Sequence, residues 1–233
     1  MRDTKLILID GLPGSGKSTT SEYLLADYAR HKISARLLGE HDPGHPLNVG
    51  GSIHPAGTTI GDAFFSHYTI ASFQEESIER WSNFAAGAAE ADTVYILDSY
   101  PYQNAVRLLF QMDAAIEDIE EYERRIEQIM APLKPVLIYL DIPDAEALCR
   151  STCHNRGPEW TEYFAAVATR CPYARRMGWH GLDGALQVLC AYKELLDANL
   201  QRLPYPVLVL EPNLEGWQRC YKRVDQFLGV TTL

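Results

Sequence analysis

The chain has 233 residues, 46% hydrophobic and 22% charged, with a formal net charge of −10 at pH 7. That size and balance predict one soluble α/β domain over residues 1–233, and the acidity argues against a broad nucleic-acid footprint, which needs clustered Lys and Arg. No apolar run is long enough to span a bilayer, the N-terminal run from Leu6 to Ile9 is too short for a signal peptide, and five cysteines argue against a disulfide framework; the expected location is cytoplasmic.

The first predicted strand, Lys5–Asp10, leads into Gly11-Leu12-Pro13-Gly14-Ser15-Gly16-Lys17-Ser18. The spacing G-x4-G-K-S is that of a phosphate-binding loop. Several backbone N–H groups must wrap a polyphosphate at once, and Cβ atoms obstruct that curvature, which accounts for Gly11, Gly14 and Gly16. A helix predicted from about Gly16 to His31 offers its N-terminal dipole to the anion. Lys17 then reaches the outer phosphates and the Ser18 hydroxyl ligates Mg2+. The nucleotide-binding stretch is therefore read as Gly11 through Thr19, with Lys17 catalytic. Asp10, just before the loop, suits either a base on an acceptor hydroxyl or a tie for the loop backbone.

Strand two is predicted near Ser34–Gly39, followed by a loop rich in Gly, Pro and His from Glu40 to Gly57. Within Glu40–Asn48, two histidines and two acids match no standard zinc spacing; acceptor recognition through Glu40 and Asp42 is the favoured reading. Helices are expected from Ile60 to Ala91, in two pieces. Strand three, Thr93–Asp98, is apolar and ends in a carboxylate, the form of a Walker B element, so Asp98 is read as a metal ligand or a base. Tyr100 and Gln103, in Ser99-Tyr100-Pro101-Tyr102-Gln103-Asn104, suit stacking and hydrogen bonding of an acceptor.

Helices are predicted over about Tyr102–Met112 and Ile116–Met130. In the second, Glu120 with Arg124 and Glu121 with Arg125 are i,i+4 pairs, and Ile116, Ile119, Ile126 and Ile129 can share a buried stripe. Strand four is Pro135–Asp141, and Pro143 starts another helix with Asp144 and Glu146 in its first turn. Cys153–Gly181 reads as the least regular and most cationic part. Arg150, Arg156, Arg170, Arg175 and Arg176 suggest a lid-like segment at about 150–181 that closes over a nucleotide. Arg156 is the catalytic candidate and Arg150 the one to stack on the base. Cys149, Cys153, His154 and Cys171 raise the question of zinc, but the paired C-x-x-C spacing is absent. A helix over Gly184–Arg202, strand five at Pro206–Leu210 and a helix over Leu214–Leu228 complete the chain.

The strands are apolar throughout, as in a parallel sheet covered on both faces. Ligands of such sheets bind beyond the strands' carboxyl ends, where Asp10, Gly11, Asp98 and Asp141 all fall.

With Gly11–Ser18, Asp98 and the arginines after strand four, the chain resembles P-loop kinases of the nucleoside and nucleotide kinase-like superfamily. Asp98-Ser-Tyr-Pro-Tyr-Gln103 is similar in type to the D-R-Y…Q stretch of thymidylate kinases, with Ser99 where the arginine would be. The chain also resembles uncharacterised bacterial P-loop proteins with a His-Pro loop like Gly44–Pro46 and an Arg-Gly-x-x-Trp stretch like Arg156–Trp160. The resemblance implies a three-layer α/β/α P-loop fold, a five-stranded parallel sheet of order 2-3-1-4-5 with a helical lid insertion, and ATP and Mg2+ as cofactors. It implies a phosphotransferase acting on a small-molecule hydroxyl or phosphate; the alternative is a nucleotide-hydrolysing module that modifies or regulates a protein or RNA partner. A regulatory GTPase would need Asp-x-x-Gly after strand three and Asn-Lys-x-Asp, and neither occurs.

Overall fold

A computed structural model describes residues 3–50 and 62–229. Its strands β1 (Leu6–Gly11), β2 (Ala35–Leu38), β3 (Val94–Asp98), β4 (Val136–Leu140) and β5 (Val207–Leu210) form one parallel sheet in the order β2-β3-β1-β4-β5. This is the expected order. β1 is central and buried at every position, so its apolar residues divide between two cores. Leu6 and Leu8 face the larger one; Ile7 and Ile9 face the smaller one with Leu24, Val224 and Leu228. Complete coverage ends at the edges: Arg36 on β2 and Val209 on β5 are exposed.

Helix α1 (Lys17–Arg30) follows the loop. The region expected to hold two helical pieces contains α2 (Asp62–His67) and α3 (Ile70–Glu90). The start of α3 is fixed by a capping box in which Thr69 and Ser72 exchange side-chain and backbone bonds. After β3 come a π-helical turn (Tyr102–Val106), α4 (Arg107–Gln111) and α5 (Ile116–Met130). α5 buries Ile119, Tyr122, Ile126 and Met130, whereas Ile116 is exposed. The expected i,i+4 pairs on α5 do not form. Glu120 instead reaches Arg202, and Arg124 lies 3.6 Å from Glu121.

The segment expected to be irregular is helical. α6 (Ala145–Arg156), α7 (Pro158–Thr169) and α8 (Pro172–Met177) are short helices separated by Gly157 and Cys171, and α9 (Gly181–Leu200) follows. Pro158 and Pro172 each open a helix, where the missing N–H costs nothing. Ala165 and Ala168 of α7 pack on Ala185 of α9. The final helix divides at Gly216 (φ 76°) into α10 (Pro212–Glu215) and α11 (Trp217–Leu228). Among the described residues, no helix is long and apolar enough to cross a membrane.

Candidate active site

The phosphate-binding sequence folds into a tight loop between β1 and α1. Gly11, Gly14 and Gly16 have φ of 147°, 85° and 98°, a region that L side chains rarely adopt. Space is as restrictive as φ. A Cβ on Gly14 would lie 2.5 Å from the Thr152 hydroxyl of α6, and one on Gly16 would lie 2.3 Å from the Trp217 indole. The buried Lys17 ammonium donates to the carbonyls of Gly11 (2.9 Å) and Leu12 (3.1 Å), curled back on the loop. Burial pushes its pKa down; Asp10, Glu40 and Asp98 oppose that shift and Arg107 adds to it. Leu12 and Ser15 are buried supports of the loop, while Ser18 and Thr19 reach its open side.

Two candidate metal ligands from distant parts of the chain meet here. The Ser18 hydroxyl donates to Asp98 Oδ2 at 2.7 Å, and the Ser99 hydroxyl donates to Asp98 Oδ1 at 2.9 Å. Ser99 takes a left-handed φ of 71° at the end of β3, an uncommon conformation that turns the chain sharply beside the site. A hydroxyl and a carboxylate are hard oxygen donors, and Mg2+ characteristically takes one or two protein ligands and keeps several waters. The donor set fits that ion.

Asp10 does not reach the open site. It is fully buried, and its oxygens accept the backbone N–H groups of Gly11 (2.8 Å), Tyr102 (3.0 Å) and Gln103 (3.1 Å). The carboxylate therefore ties the end of β1 to the first turn after β3, the second of the two roles expected of it. Burial pushes its pKa up to about 7, against the opposing effects of Lys17 and the three backbone bonds.

The acceptor candidates separate. Glu40, half-buried at the end of β2, lies close enough to Lys17 and Tyr100 to act electrostatically on both. Asp42 is exposed, and its Oδ2 accepts the Gly39 N–H at 2.8 Å while its own N–H donates to the Gly39 carbonyl. It closes a turn and is not brought to the site. Tyr100 is fully buried with its ring stacked on His45, centroids 4.3 Å apart. His45 Nδ1 accepts the Leu47 N–H, and burial pushes its pKa down to about 4, so the ring is neutral at pH 7. Among the described residues, His45 Nε2, the Tyr100 hydroxyl and the Gln103 side-chain oxygen are buried without hydrogen-bond partners. The Glu40–Gly57 loop continues into residues 51–57, which lie outside the described residues.

Sequence reasoning missed Arg107. It is half-buried on α4, its Nε is buried without a hydrogen-bond partner, and its charge acts on Lys17. The π turn before it closes its hydrogen bond over five residues, Val106 N–H to the Pro101 carbonyl, where an α-helix closes over four, and such turns occur frequently at functional sites. A 3.6-residue pattern drawn from Asp98 therefore gives no indication that position 107 acts on Lys17.

The arginines after β4 occupy different settings. Arg150 pairs with Glu146 (2.8 Å) and Asp183 (3.4 Å) on the surface. Arg176 forks onto Asp113 at 2.5 and 2.7 Å and lies over Tyr173. Arg156 rests over the Trp160 ring at 4.9 Å. It is four residues beyond Thr152 and eight beyond Leu148, the two α6 side chains against Gly14, and so continues the helix stripe that faces the loop. Arg170 is exposed. Cys149 and Cys153 are buried on α6, and Cys171 caps α8 by accepting the Ala174 N–H. Among the described residues, no group of three or more His, Cys, Asp or Glu side chains could hold a metal ion. A cavity of about 420 Å³ near Pro135, Pro204 and Tyr205 opens at the opposite edge of the sheet and takes no part in this site.

No family model matches the chain, and no curated protein matches it. Solved structures of similar fold include the YorR protein of Bacillus subtilis in complex with phosphorylated GDP, at 13% identity and TM-score 0.48 over 97% of this chain and 96% of that one. A deoxyadenosine kinase from M. mycoides with bound dATP aligns at 14% identity and TM-score 0.46 over 95% and 98%. Thymidylate kinase from Candida albicans aligns at 17% and 0.46 over 98% and 92%. At such identities and scores these likenesses do not assign an activity. The fold stands on its own observations: a five-stranded parallel sheet of order β2-β3-β1-β4-β5 with a tight glycine loop between β1 and α1.

Proposed function

We propose that the chain is an ATP- and Mg2+-dependent phosphotransferase acting on a small acceptor that carries a negative charge. The observation behind this reading is the Ser18–Asp98 bond at 2.7 Å beside a phosphate-binding loop. The loop N–H groups and the α1 dipole hold the donor's β- and γ-phosphates. Lys17 leaves the loop carbonyls for the transferred phosphoryl group, and Arg156 approaches from α6 over the same loop. Ser18 and Asp98 would hold Mg2+, which would supply charge neutralisation at the phosphates.

An acceptor oxygen attacks the γ-phosphorus, the bond to the bridging oxygen breaks, and ADP leaves with that electron pair. Where the acceptor group is a hydroxyl, its proton needs a carboxylate. Of the three near Lys17, Asp10 is sealed and Asp98 is held by two hydroxyls. Glu40 has no hydrogen-bond partner among the described residues and is partly open, so this reading gives it the proton. Tyr100 and Gln103 line the acceptor side, and Arg107 supplies the cation that Ser99 cannot. Arg107 is the reason for an anionic acceptor: an arginine nitrogen buried without a partner is costly unless a ligand completes it.

The test is ADP release by purified protein across nucleosides, nucleotides, sugars, sugar phosphates and aminoglycosides, with Lys17→Ala as control. Turnover that depends on an anionic acceptor and is lost in the control supports the reading. Equal slow hydrolysis with every acceptor would overturn it.

A further inference from the structure

The phosphate-binding loop is flanked on two sides by side chains from distant elements. Thr152 and Leu148 of α6 lie against Gly14, and the Trp217 indole edge lies against Gly16, two residues on. Trp217 owes that position to a backbone break. Gly216 takes φ 76° with open space around it, so the glycine is needed for its torsion, and the turn swings the first residue of α11 back onto the loop. Behind Trp217, aromatic rings continue into the fold: Tyr221 at 5.7 Å, then Tyr23 of α1 stacked on Tyr221 at 4.0 Å. Trp217 is nevertheless 37% exposed, so a large apolar ring remains open to solvent at the loop.

We propose that Trp217 is the platform on which the base of the nucleoside triphosphate donor stacks, and that the base is read by its face and not by its edge. This rests on the nucleotide donor proposed above. Phosphates held over the first turn of α1 leave the ribose and base to emerge beside the loop, within reach of the elements that touch Gly14 and Gly16. The aromatic ring there is Trp217. Stacking on indole is strong but tolerant, because every base has a π face.

Reading an edge would need free donors and acceptors, and several of the neighbouring side chains are already engaged. Glu215 accepts the Glu211 N–H at 3.0 Å and bonds Arg223, and Arg223 also donates to the Val209 carbonyl at 3.0 Å. The Thr152 hydroxyl donates to the Leu148 carbonyl at 2.8 Å, and Arg150 is held by Glu146 and Asp183. Arg219 lies within 4.0 Å of Glu215 and is two residues from Trp217, around the helix from it. The donor site should therefore require a base yet discriminate weakly between adenine and guanine.

The test is calorimetric binding of ATP, GTP and inorganic tripolyphosphate to the full chain, with Mg2+, for wild type, Trp217→Phe and Trp217→Ala. Far-UV circular dichroism checks the fold of each variant. In the wild type, ATP and GTP should bind within about threefold of each other, and both should quench tryptophan fluorescence. Trp217→Ala should weaken both nucleotides by about tenfold or more, Trp217→Phe less, and tripolyphosphate by less than about twofold. Nucleotide binding indifferent to Trp217→Ala, or a preference for one purine beyond about tenfold, would overturn this inference and leave the kinase reading standing. Wild-type protein that binds none of the three ligands would overturn the donor reading and this inference with it.

Discussion

Replacing Arg107 by Met separates a functional arginine from a structural one. Methionine keeps an unbranched stem of similar reach on α4 and removes the guanidinium. In the free protein, Arg107 Nε is buried with no hydrogen-bond partner among the described residues, and the side chain's charge works against the protonated form of Lys17. An unsatisfied buried donor costs about 1–3 kcal/mol. The half-buried side chain retains some solvent, which favours the lower end, about 1 kcal/mol. For a chain of this length that corresponds to a rise in Tm of about 2–4 °C. With acceptor present the balance reverses. A hydrogen bond from a charged donor contributes about 1.5–3 kcal/mol, so kcat/KM for the acceptor should fall by about 10- to 150-fold.

Differential scanning fluorimetry without ligand and steady-state kinetics with varied acceptor read the two effects. A more stable variant with a crippled acceptor response is the expected result. A variant that loses stability while keeping its kcat/KM would show that Arg107 supports packing, and the anionic acceptor would be refuted with it.

Asp98→Asn and Ser18→Ala should each reduce Mg2+-dependent turnover on the order of 100-fold, while nucleotide affinity measured by calorimetry changes only a few-fold. Glu123 should make stability depend on pH. It is buried against Asn199 Nδ2 at 2.6 Å, and burial pushes its carboxyl from the usual 4.5 up to about 7. The folded state then holds the proton more tightly than the unfolded one, so its stabilising contribution is complete below pH 4.5 and is lost as pH rises through about 7. The full change is about 3 kcal/mol. Urea denaturation of Glu123→Gln and wild type should show their difference growing by that amount between pH 4.5 and 8, whereas parallel curves would contradict the shift. Thr69→Ala removes half of the α3 capping box and should lower stability by about 1 kcal/mol in thermal melts, with turnover retained.

The sheet was legible because its signal is redundant. Each strand is a short apolar run bounded by turn residues, and the loop glycines are required by both torsion and space. β1 through β5 fall within one or two residues of their expected bounds. The convergence of Ser18 and Asp98 was legible for a related reason: parallel topology alone brings the carboxyl ends of β1 and β3 side by side. α7 and α8 were not legible, since proline at the first position of a helix and proline in an irregular segment look alike without the cap geometry. The charge pairs of α5 look local in sequence, but Glu120 finds Arg202, 82 residues away. A helical repeat records neighbours along one helix and is blind to such partners.

Asp10 is harder still to read from its sequence setting. A strand-ending aspartate before a phosphate loop is the same string whether it meets substrate or backbone, and the three N–H groups that claim it include two from the turn after β3. Those two are available because Tyr102 and Gln103 open a π turn whose first N–H groups have no partner within the turn itself. The same turn determines where Arg107 lies. The burial of Asp10 and the position of Arg107 are thus two consequences of one irregular turn, and neither appears in a pattern built on 3.6 residues. The carboxylate joins the donor loop directly to the acceptor segment: Gly11 on one side, Tyr102 and Gln103 on the other. Loss of that tie should disturb both halves of the site together, whereas loss of Arg107 should disturb only the acceptor half.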